Sequence, residues 1–369
     1  MLKTEKKYTY NDITIIPAPI TSVEHRGDCN PYLSDGKLPI FTAPMSSVVS
    51  EENFNIFEEN KINAILPRSV DLKIRKDYAL NGKWAAFSLQ EFEDFFVEKN
   101  DNATTTPKVL IDIANGHMQK LYDLVRKSKT NWGKEGIIIM VGNIANPLTY
   151  YEVVDSGADF VRLGVGAGLG CITTSNVAIH YATASLIQDT FLIKKQIADT
   201  RGVSMSELPK IIADGGIRNY SDVIKALALG ADYAMIGGIF ASLVESAAKT
   251  FLDDKEVLPL SRHKITEHDG VFRIVDSQTN KLYSSSKLTK CFYGMASKKG
   301  QIDMFGQKQK TAEGIVKYIN VSTTIDKWVE NMTSYLQSAM SYTNIFRISD
   351  FYKVETIVIS TNTFVSVNR

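Results

Sequence analysis

The chain of 369 residues is 44% hydrophobic and 22% charged, so it can bury the core of one large domain or of two ordinary ones. Its 42 basic and 41 acidic residues leave a net charge of +1, and this balance argues against a nucleic acid as the partner. No apolar run is long enough to cross a bilayer, and the charged residues 1–7 lack the apolar core of a signal peptide.

The three cysteines, Cys29, Cys171 and Cys291, are widely spaced and include no Cys-x-x-Cys pair. This spacing argues against a disulfide framework and against a zinc site. It favours the reducing cytoplasm as the compartment in which we expect the chain to act.

Short apolar runs with strand character alternate with helical patterns through much of the chain. Such strands are typical of a parallel sheet that is buried on both faces. Eight strand–helix units predict an α/β fold, a (β/α)8 TIM barrel, with a doubly wound sheet as the alternative. The predicted strands are 38–43, 62–66, 84–89, 108–113, 136–141, 160–163, 210–213 and 233–236, and the predicted helices include 51–60, 118–128, 147–156, 176–189, 221–229 and 239–249.

A glycine-rich loop follows the predicted strand 160–163 and presents Cys171, with Thr173 two residues later. Its four glycines within residues 164–170 allow the backbone to approach a ligand without obstruction by Cβ atoms. The polar residues 173–176 predict that a helix begins there, and a helix N-terminus stabilises a nearby thiolate. We therefore predict that Cys171 is a nucleophile.

Two glycine turns follow the last two predicted strands. One is Asp214-Gly215-Gly216, and the other is Gly237-Gly238. In a barrel, both turns lie at the carboxyl ends of the strands, where active sites are built. Backbone amides of such turns bind phosphate together with a helix N-terminus. The two turns therefore predict a phosphate site.

Residues 253–290 interrupt the alternation of strands and helices. They are charged, and Asp269-Gly270 before an alternating apolar run is a hairpin signal. We interpret them as an inserted loop or hairpin within a single catalytic barrel domain, 1–369. An amphipathic helix is predicted over residues 325–341, with its apolar face packed on the barrel.

The ordered motifs of the chain resemble those of the IMP dehydrogenase / GMP reductase family, and within it those of a GMP reductase. The most specific is Gly-x-Gly-x-Gly-x-x-Cys-x-Thr at residues 164–173, followed by the family's Ile-Ala-Asp-Gly-Gly-Ile at 212–217. The resemblance runs from Tyr10 to the C-terminus and is weakest across 253–290. Supporting motifs lie at residues 43–45, 112–117, 142–144, 235–238 and 292–295.

Three features favour a reductase over a dehydrogenase. Dehydrogenases of the family usually insert a paired regulatory module after the early strands, whereas only residues 90–107 join Leu89 to Lys108 here. Dehydrogenases also carry an Arg-Tyr pair on a mobile flap, and residues 296–312 contain neither amino acid. The C-terminal residues 354–359 are similar to the short tail of the reductases.

The resemblance implies an NADPH-dependent conversion of GMP to IMP and ammonia through a covalent thioimidate on Cys171. It implies that Thr173 and Glu313 form a proton relay with this cysteine. It further implies a homotetramer, and K⁺ bound by the backbone carbonyls of Gly166 and Gly168. The implied cofactor contacts are Asp112, Ala114 and Asn115, and the implied substrate contacts are Met45, Asn143, Asp214, Gly215, Gly216, Gly237, Gly238, Tyr293, Gly294, Met295 and Gly314.

Several residues depart from the family pattern near the nucleotide. Leu169 stands where many relatives have a serine that reaches the substrate phosphate, and Ala167 replaces a common proline. Ser46-Ser47 stand where Asp-Thr is usual, and the pair at 67–68 is Pro-Arg rather than His-Lys or His-Arg. The alternatives are an IMP dehydrogenase, a reductase of a modified guanine nucleotide, a flavin-dependent barrel and a non-catalytic nucleotide-binding protein.

Overall fold

The computed structural model describes residues 5–99, 103, 105–133, 136–169, 173–252, 255–257, 263–268, 271–276, 279–284, 287–294, 296–307, 311 and 314–359. The strands are β1 (Ile13–Ile15), β2 (Ile40–Thr42), β3 (Ile65–Leu66), β4 (Trp84–Phe87), β5 (Lys108–Asp112), β6 (Ile138–Ile144), β7 (Phe160–Leu163), β8 (Lys210–Asp214), β9 (Tyr233–Ile236), β10 (Thr250–Leu252), β11 (Lys255–Val257), β12 (His263–His268), β13 (Val271–Asp276), β14 (Leu282–Ser284), β15 (Leu288–Tyr293), β16 (Val316–Asn320) and β17 (Thr356–Val358). The α-helices are α1 (Glu51–Glu59), α2 (Leu72–Leu80), α3 (Leu89–Phe96), α4 (Gln119–Trp132), α5 (Tyr150–Ser156), α6 (Thr173–Val177), α7 (Thr183–Arg201), α8 (Tyr220–Ala228), α9 (Gly238–Ala241), α10 (Lys298–Phe305) and α11 (Ile325–Tyr342).

Strands β2 to β9 form one parallel sheet in the order β2-β9-β8-β7-β6-β5-β4-β3. The two end strands meet beside Asn63, whose backbone amide donates to the Ile40 carbonyl at 3.0 Å. The Thr42 amide in turn donates to the Asn63 carbonyl at 2.9 Å. Because these bonds join the ends of the sheet and helices follow its strands, the predicted (β/α)8 TIM barrel is confirmed and the doubly wound sheet is excluded.

Apolar side chains fill the barrel interior, and aromatic rings close its amino-terminal end. Phe41, Trp84, Phe160 and Tyr233 pack there with ring centroids 5.0 to 6.1 Å apart, in edge-to-face or tilted arrangements. Such pairs add to the stabilisation that burial alone provides. The amino-terminal end is therefore a packed core, which leaves the carboxyl end of the barrel for polar groups.

Each predicted strand segment holds a barrel strand, but the strand predicted to end at residue 89 stops at Phe87. The reason is a capping box at the start of α3, a helix that the sequence interpretation missed. The Ser88 amide donates to Glu91 Oε2 at 2.7 Å, and the Glu91 amide donates to Ser88 Oγ at 3.2 Å. These two bonds satisfy amides that would otherwise be unpaired at the helix start.

Two predicted helices, 176–189 and 239–249, have wrong boundaries. The first is divided between α6 and α7, because Ala178 adopts a left-handed φ of 58° that ends α6. The second ends at Ala241. The buried Lys290 ammonium donates to backbone carbonyls of residues 244, 246 and 248, at 3.0 to 3.3 Å. A buried ammonium needs such acceptors, and these carbonyls point towards Lys290 instead of along a helix axis.

The strands outside the barrel form antiparallel sheets, and all of these strands except β1 follow α9. Strands β11-β10-β15-β16 form one sheet, β12-β13-β14 form a second, and β1 pairs with β17. Within residues 253–290, β12 and β13 flank residues 269–270, which lie outside the described residues. Helix α11 buries most of the apolar face predicted for it in the core, but Tyr335 on that face is exposed. Among the described helices, none combines the length and the apolar composition that a membrane crossing requires.

Candidate active site

The carboxyl ends of the barrel strands carry most of the residues predicted for the substrate and the cofactor. Asp112 is the last residue of β5, and Asp214 is the last residue of β8. Asn143 lies near the end of β6, between these two strands. Because parallel strands end at the same rim of a barrel, these residues meet although they lie far apart in the chain. The predicted residues beside them on this rim are Met45, Ala114, Asn115, Gly215, Gly216, Gly237 and Gly238.

A buried arginine that the sequence interpretation did not single out joins two of these carboxylates. Arg162 Nη1 donates to Asp112 Oδ1 at 2.7 Å, and Arg162 Nη2 donates to Asp214 Oδ2 at 2.8 Å. Arg162 is only 6% exposed. Burial alone would lower the pKa of Arg162, but the carboxylates of Asp214 and Asp112 outweigh burial and raise that pKa. The guanidinium is therefore charged and bridges two strand ends.

The alternation of side chains along β7 explains why Arg162 enters the barrel. Val161 and Leu163 point outwards into the core beneath the helices, whereas Phe160 and Arg162 point inwards. On β6, Gly142 is the partner of Arg162, and a Cβ on this glycine would lie 2.6 Å from the Cβ of Arg162. Glycine therefore leaves the space that the arginine needs. A charge at an inward position of a buried strand is the sequence signal that could have identified Arg162.

The described part of the glycine loop, residues 164–169, lies over both glycine turns. At Gly164, which has a φ of 132°, a Cβ would collide with the carbonyl oxygen of Asp214. The Gly216 amide donates to the Ala167 carbonyl at 3.0 Å. The Leu169 Cδ2 atom lies 3.0 Å from the position that a Cβ on Gly238 would take. The loop therefore contacts both turns predicted to bind phosphate, and an apolar side chain covers the second.

The described part of α6 begins at Thr173, within the polar residues 173–176 where the sequence predicts a helix start. The Thr174 hydroxyl donates to the Gly166 carbonyl at 3.2 Å, which connects the helix to the glycine loop. Cys171, Met295 and Glu313 lie outside the described residues, so their roles stay predictions. Gly314 is described, and it forms a β-bridge with Ser297, directly before α10.

The half-buried Ser46, one of the departures from the family pattern, contacts a predicted substrate residue. Its hydroxyl donates to the Tyr293 hydroxyl at 3.3 Å. The Tyr293 side chain is buried, and the Lys299 ammonium lies 4.9 Å from the centre of its ring. The bond joins the loop after β2 to the end of β15, which precedes Gly294. Ser46 can therefore affect the position of Tyr293.

His117 has a structural role next to the predicted cofactor residues. Its Nε2 accepts from the Ala145 amide at 3.1 Å, so the proton lies on Nδ1, which contacts Thr149 Oγ1 at 2.9 Å. Burial lowers the pKa of His117, which favours this neutral form. The ring therefore joins the loops after β5 and β6.

Comparison with known proteins gives matches along nearly the whole chain. Residues 102–259 match the family model described as the IMP dehydrogenase / GMP reductase domain. A GMP reductase of Shouchella clausii (strain KSM-K16) is 28% identical, with 98% of each chain covered. GMP reductases of Exiguobacterium sp. (strain ATCC BAA-1283 / AT1b) and Bacillus thuringiensis subsp. konkukian (strain 97-27) are 26% and 27% identical, again over 98% of each chain. The similarity therefore includes the barrel, the glycine loop and the segments after the barrel.

Proposed function

We propose that this chain, which is similar in its motifs and over 98% of its length to GMP reductases, is an oxidoreductase that catalyses the NADPH-dependent reductive deamination of GMP to IMP and ammonia. The observation that carries the proposal is the contact of the glycine loop with the turn after β8. This contact brings the loop that precedes Thr173 to the rim where Asp112, Asn143 and Asp214 meet. A nucleotide bound on this rim lies close to the cysteine loop.

The nucleotide is proposed to bind through the backbone and side chains of this rim. The phosphate is proposed to accept hydrogen bonds from the backbone amides of Gly215, Gly216, Gly237 and Gly238. The Gly216 amide becomes available when its hydrogen bond to the Ala167 carbonyl in the glycine loop breaks. Asp214 accepts hydrogen bonds from the ribose. The residues proposed to contact the purine are Met45, Asn143, Tyr293, Gly294, Met295 and Gly314.

Cys171 is proposed to attack C2 of the purine. This carbon is electron-poor because it lies between ring nitrogens, and covalent addition divides the displacement of the amino group into two easier steps. The sequence predicts a helix start among the polar residues 173–176, directly after Cys171, and the positive end of the dipole of such a helix would favour the Cys171 thiolate. Thr173 and Glu313 are proposed to deliver the proton that ammonia needs to leave.

The rim beside β5 suits a nicotinamide nucleotide. Ala114 and Asn115 are exposed next to the carboxylate of Asp112. The Asn115 Oδ1 accepts from the His117 amide at 3.1 Å, which leaves the Asn115 NH₂ group to donate to a ligand. These residues would hold the cofactor by hydrogen bonds. NADPH, when bound, supplies the hydride that replaces the amino group at C2.

K⁺ is proposed to bind the carbonyl oxygens of Gly166 and Gly168. The Gly166 carbonyl already accepts one bond from Thr174 and retains a second lone pair for a cation. Uncharged carbonyl oxygens are hard donors that suit such an ion. The proposed homotetramer rests on the family resemblance, and the proposed cytoplasmic location rests on the cysteine pattern.

The direction of the reaction provides the main test of the proposal. We expect sustained, ammonia-linked oxidation of NADPH with GMP, and no sustained formation of XMP from IMP and NAD. Hydrolysis of the covalent intermediate needs a base to activate water, and residues 296–312 lack the Arg-Tyr pair of the dehydrogenases. Steady-state rates of both reactions are measured at saturating cofactor, with a dehydrogenase as the positive control for XMP. Efficient XMP formation would overturn the assignment.

Leu169→Ser is expected to strengthen the binding of GMP. The leucine packs against Gly238, and a serine would give the phosphate a hydroxyl donor instead. The free energy of one hydrogen bond to a charged group is sufficient to lower KM about tenfold, while kcat should change little. Leu169→Ala is the matched control, because it opens the same space without adding a donor. Equal KM values for the serine and alanine variants would contradict the prediction.

A further inference from the structure

Arg162 lies between the side of the barrel proposed for the cofactor and the side proposed for the ribose. Its three nitrogens all donate within the described part of the chain. Nη1 donates to Asp112, and both Nη2 and Nε donate to Asp214, at 2.8 and 3.1 Å. The side chains of Asp112 and Asp214 are themselves only 17% and 15% exposed. One guanidinium therefore fixes the relative positions of two largely buried carboxylates.

The hydrogen bonds on Asp214 are distributed unequally between its two oxygens. Oδ2 accepts from two nitrogens of Arg162 and also from Asn143 Nδ2, at 2.7 Å. Asn143 is held in turn, because its Nδ2 also donates to the Gly164 carbonyl at 2.8 Å. Across the described residues, no hydrogen bond ends on Asp214 Oδ1. One oxygen thus anchors the carboxylate, and the other has lone pairs available for a ligand.

We propose that Arg162 is a positioning residue that holds Asp214 in the orientation needed to accept the ribose hydroxyls of the nucleotide, and that Asp112 anchors Arg162 for this purpose. The inference rests on the proposed function, in which the ribose lies at Asp214. It adds a determinant of specificity for the ribose, and this determinant lies one strand away from the residue that touches the sugar.

Charge explains why the arginine controls the orientation. Without the guanidinium, Asp112 and Asp214 are like charges at the ends of strands separated by β6 and β7. Their repulsion disfavours ionisation of both, and water or a proton then replaces the arginine on Asp214. A carboxylate that rotates or takes up a proton no longer presents a fixed acceptor. The preference for a ribose that carries its hydroxyls is therefore lost.

The experiment compares the binding of GMP with that of 2′-deoxy-GMP and 3′-deoxy-GMP by calorimetry, without cofactor and without turnover. The wild-type protein is expected to bind GMP about tenfold or more tightly than the deoxy nucleotides, because a hydroxyl–carboxylate hydrogen bond is lost in each. In Arg162→Gln this ratio is expected to fall close to one. An unchanged ratio in the folded variant would overturn the proposal.

Lys194→Gln is the matched control. Lys194 is as deeply buried and pairs with Asp232 at 2.7 Å, at the opposite end of the barrel. Its loss should lower the thermal stability but keep the ratio for GMP over the deoxy nucleotides. Arg162→Lys retains the charge and should recover part of the ratio, whereas a lysine variant no better than glutamine would contradict an electrostatic role.

Asp112→Asn tests whether Asp112 anchors Arg162. This variant also replaces Arg162→Gln in the experiment if that protein does not fold, because Asp112→Asn leaves Arg162 paired with Asp214. A reduced preference for GMP over the deoxy nucleotides is expected, and a wild-type preference would overturn the anchoring role of Asp112. The outcomes also separate this inference from the proposed function. Binding of GMP without preference for the ribose hydroxyls refutes the inference alone, whereas a wild-type protein that binds no purine nucleotide refutes the proposed function.

Discussion

Replacing Cys171 with alanine is expected to abolish GMP reduction and to leave GMP binding nearly unchanged. Alanine removes the atom that forms the covalent bond to C2, but it does not alter the rim that holds the nucleotide. Loss of a nucleophile typically lowers kcat by about 10⁴-fold or more. The rate is followed by NADPH absorbance and by ammonia release, and GMP binding is measured separately by calorimetry.

Cys29→Ala is the control for this experiment. Cys29 is buried beside α11, where its carbonyl accepts from Gln337 Nε2 at 3.1 Å, and burial raises the pKa of its thiol. A thiol with a raised pKa is a poor nucleophile at neutral pH. The Cys29 variant should therefore keep its activity. Near-normal turnover by Cys171→Ala would refute the covalent mechanism.

Glu313→Gln is expected to lower GMP turnover by about 10²- to 10⁴-fold, the usual contribution of a general acid or base. Glutamine keeps the size of the side chain but cannot relay a proton to the departing ammonia. Hydride transfer does not use this relay. A single-turnover burst of NADPH from IMP and NADP should therefore retain a rate close to that of the wild-type protein.

Glu330→Gln controls for the loss of one negative charge. Glu330 is exposed on α11 and pairs with Lys327 at 3.0 Å, so its replacement should not affect either rate. Full GMP turnover by the Glu313 variant would exclude the relay. A burst that slows as much as turnover would instead assign Glu313 to a step shared by both directions.

The fold of the barrel could be predicted from the sequence because its strands are short, apolar and separated by helical patterns. Burial on both faces demands this pattern, so each predicted segment holds a barrel strand. Helix boundaries were less predictable where distant residues decide them. The helix predicted to reach residue 249 stops at Ala241, and Lys290 bonds carbonyls of the chain beyond it.

The sequence by itself determined that Asp112, Asn143 and Asp214 lie on one rim of the barrel, because the ends of parallel strands meet at one face of a barrel. It also predicted a helix start among the polar residues 173–176, and the described part of α6 includes these residues. Only the tertiary structure decided that Arg162 joins Asp112 to Asp214. These partners lie 50 and 52 residues away along the chain, and local patterns do not specify which charges meet across a barrel. That pairing depends on strand order and register. Asp112 and Arg162 are both partners of Gly142, and Asp214 lies two residues beyond Ile212, the partner of Arg162 on β8. It also depends on the high cost of burying an unpaired charge.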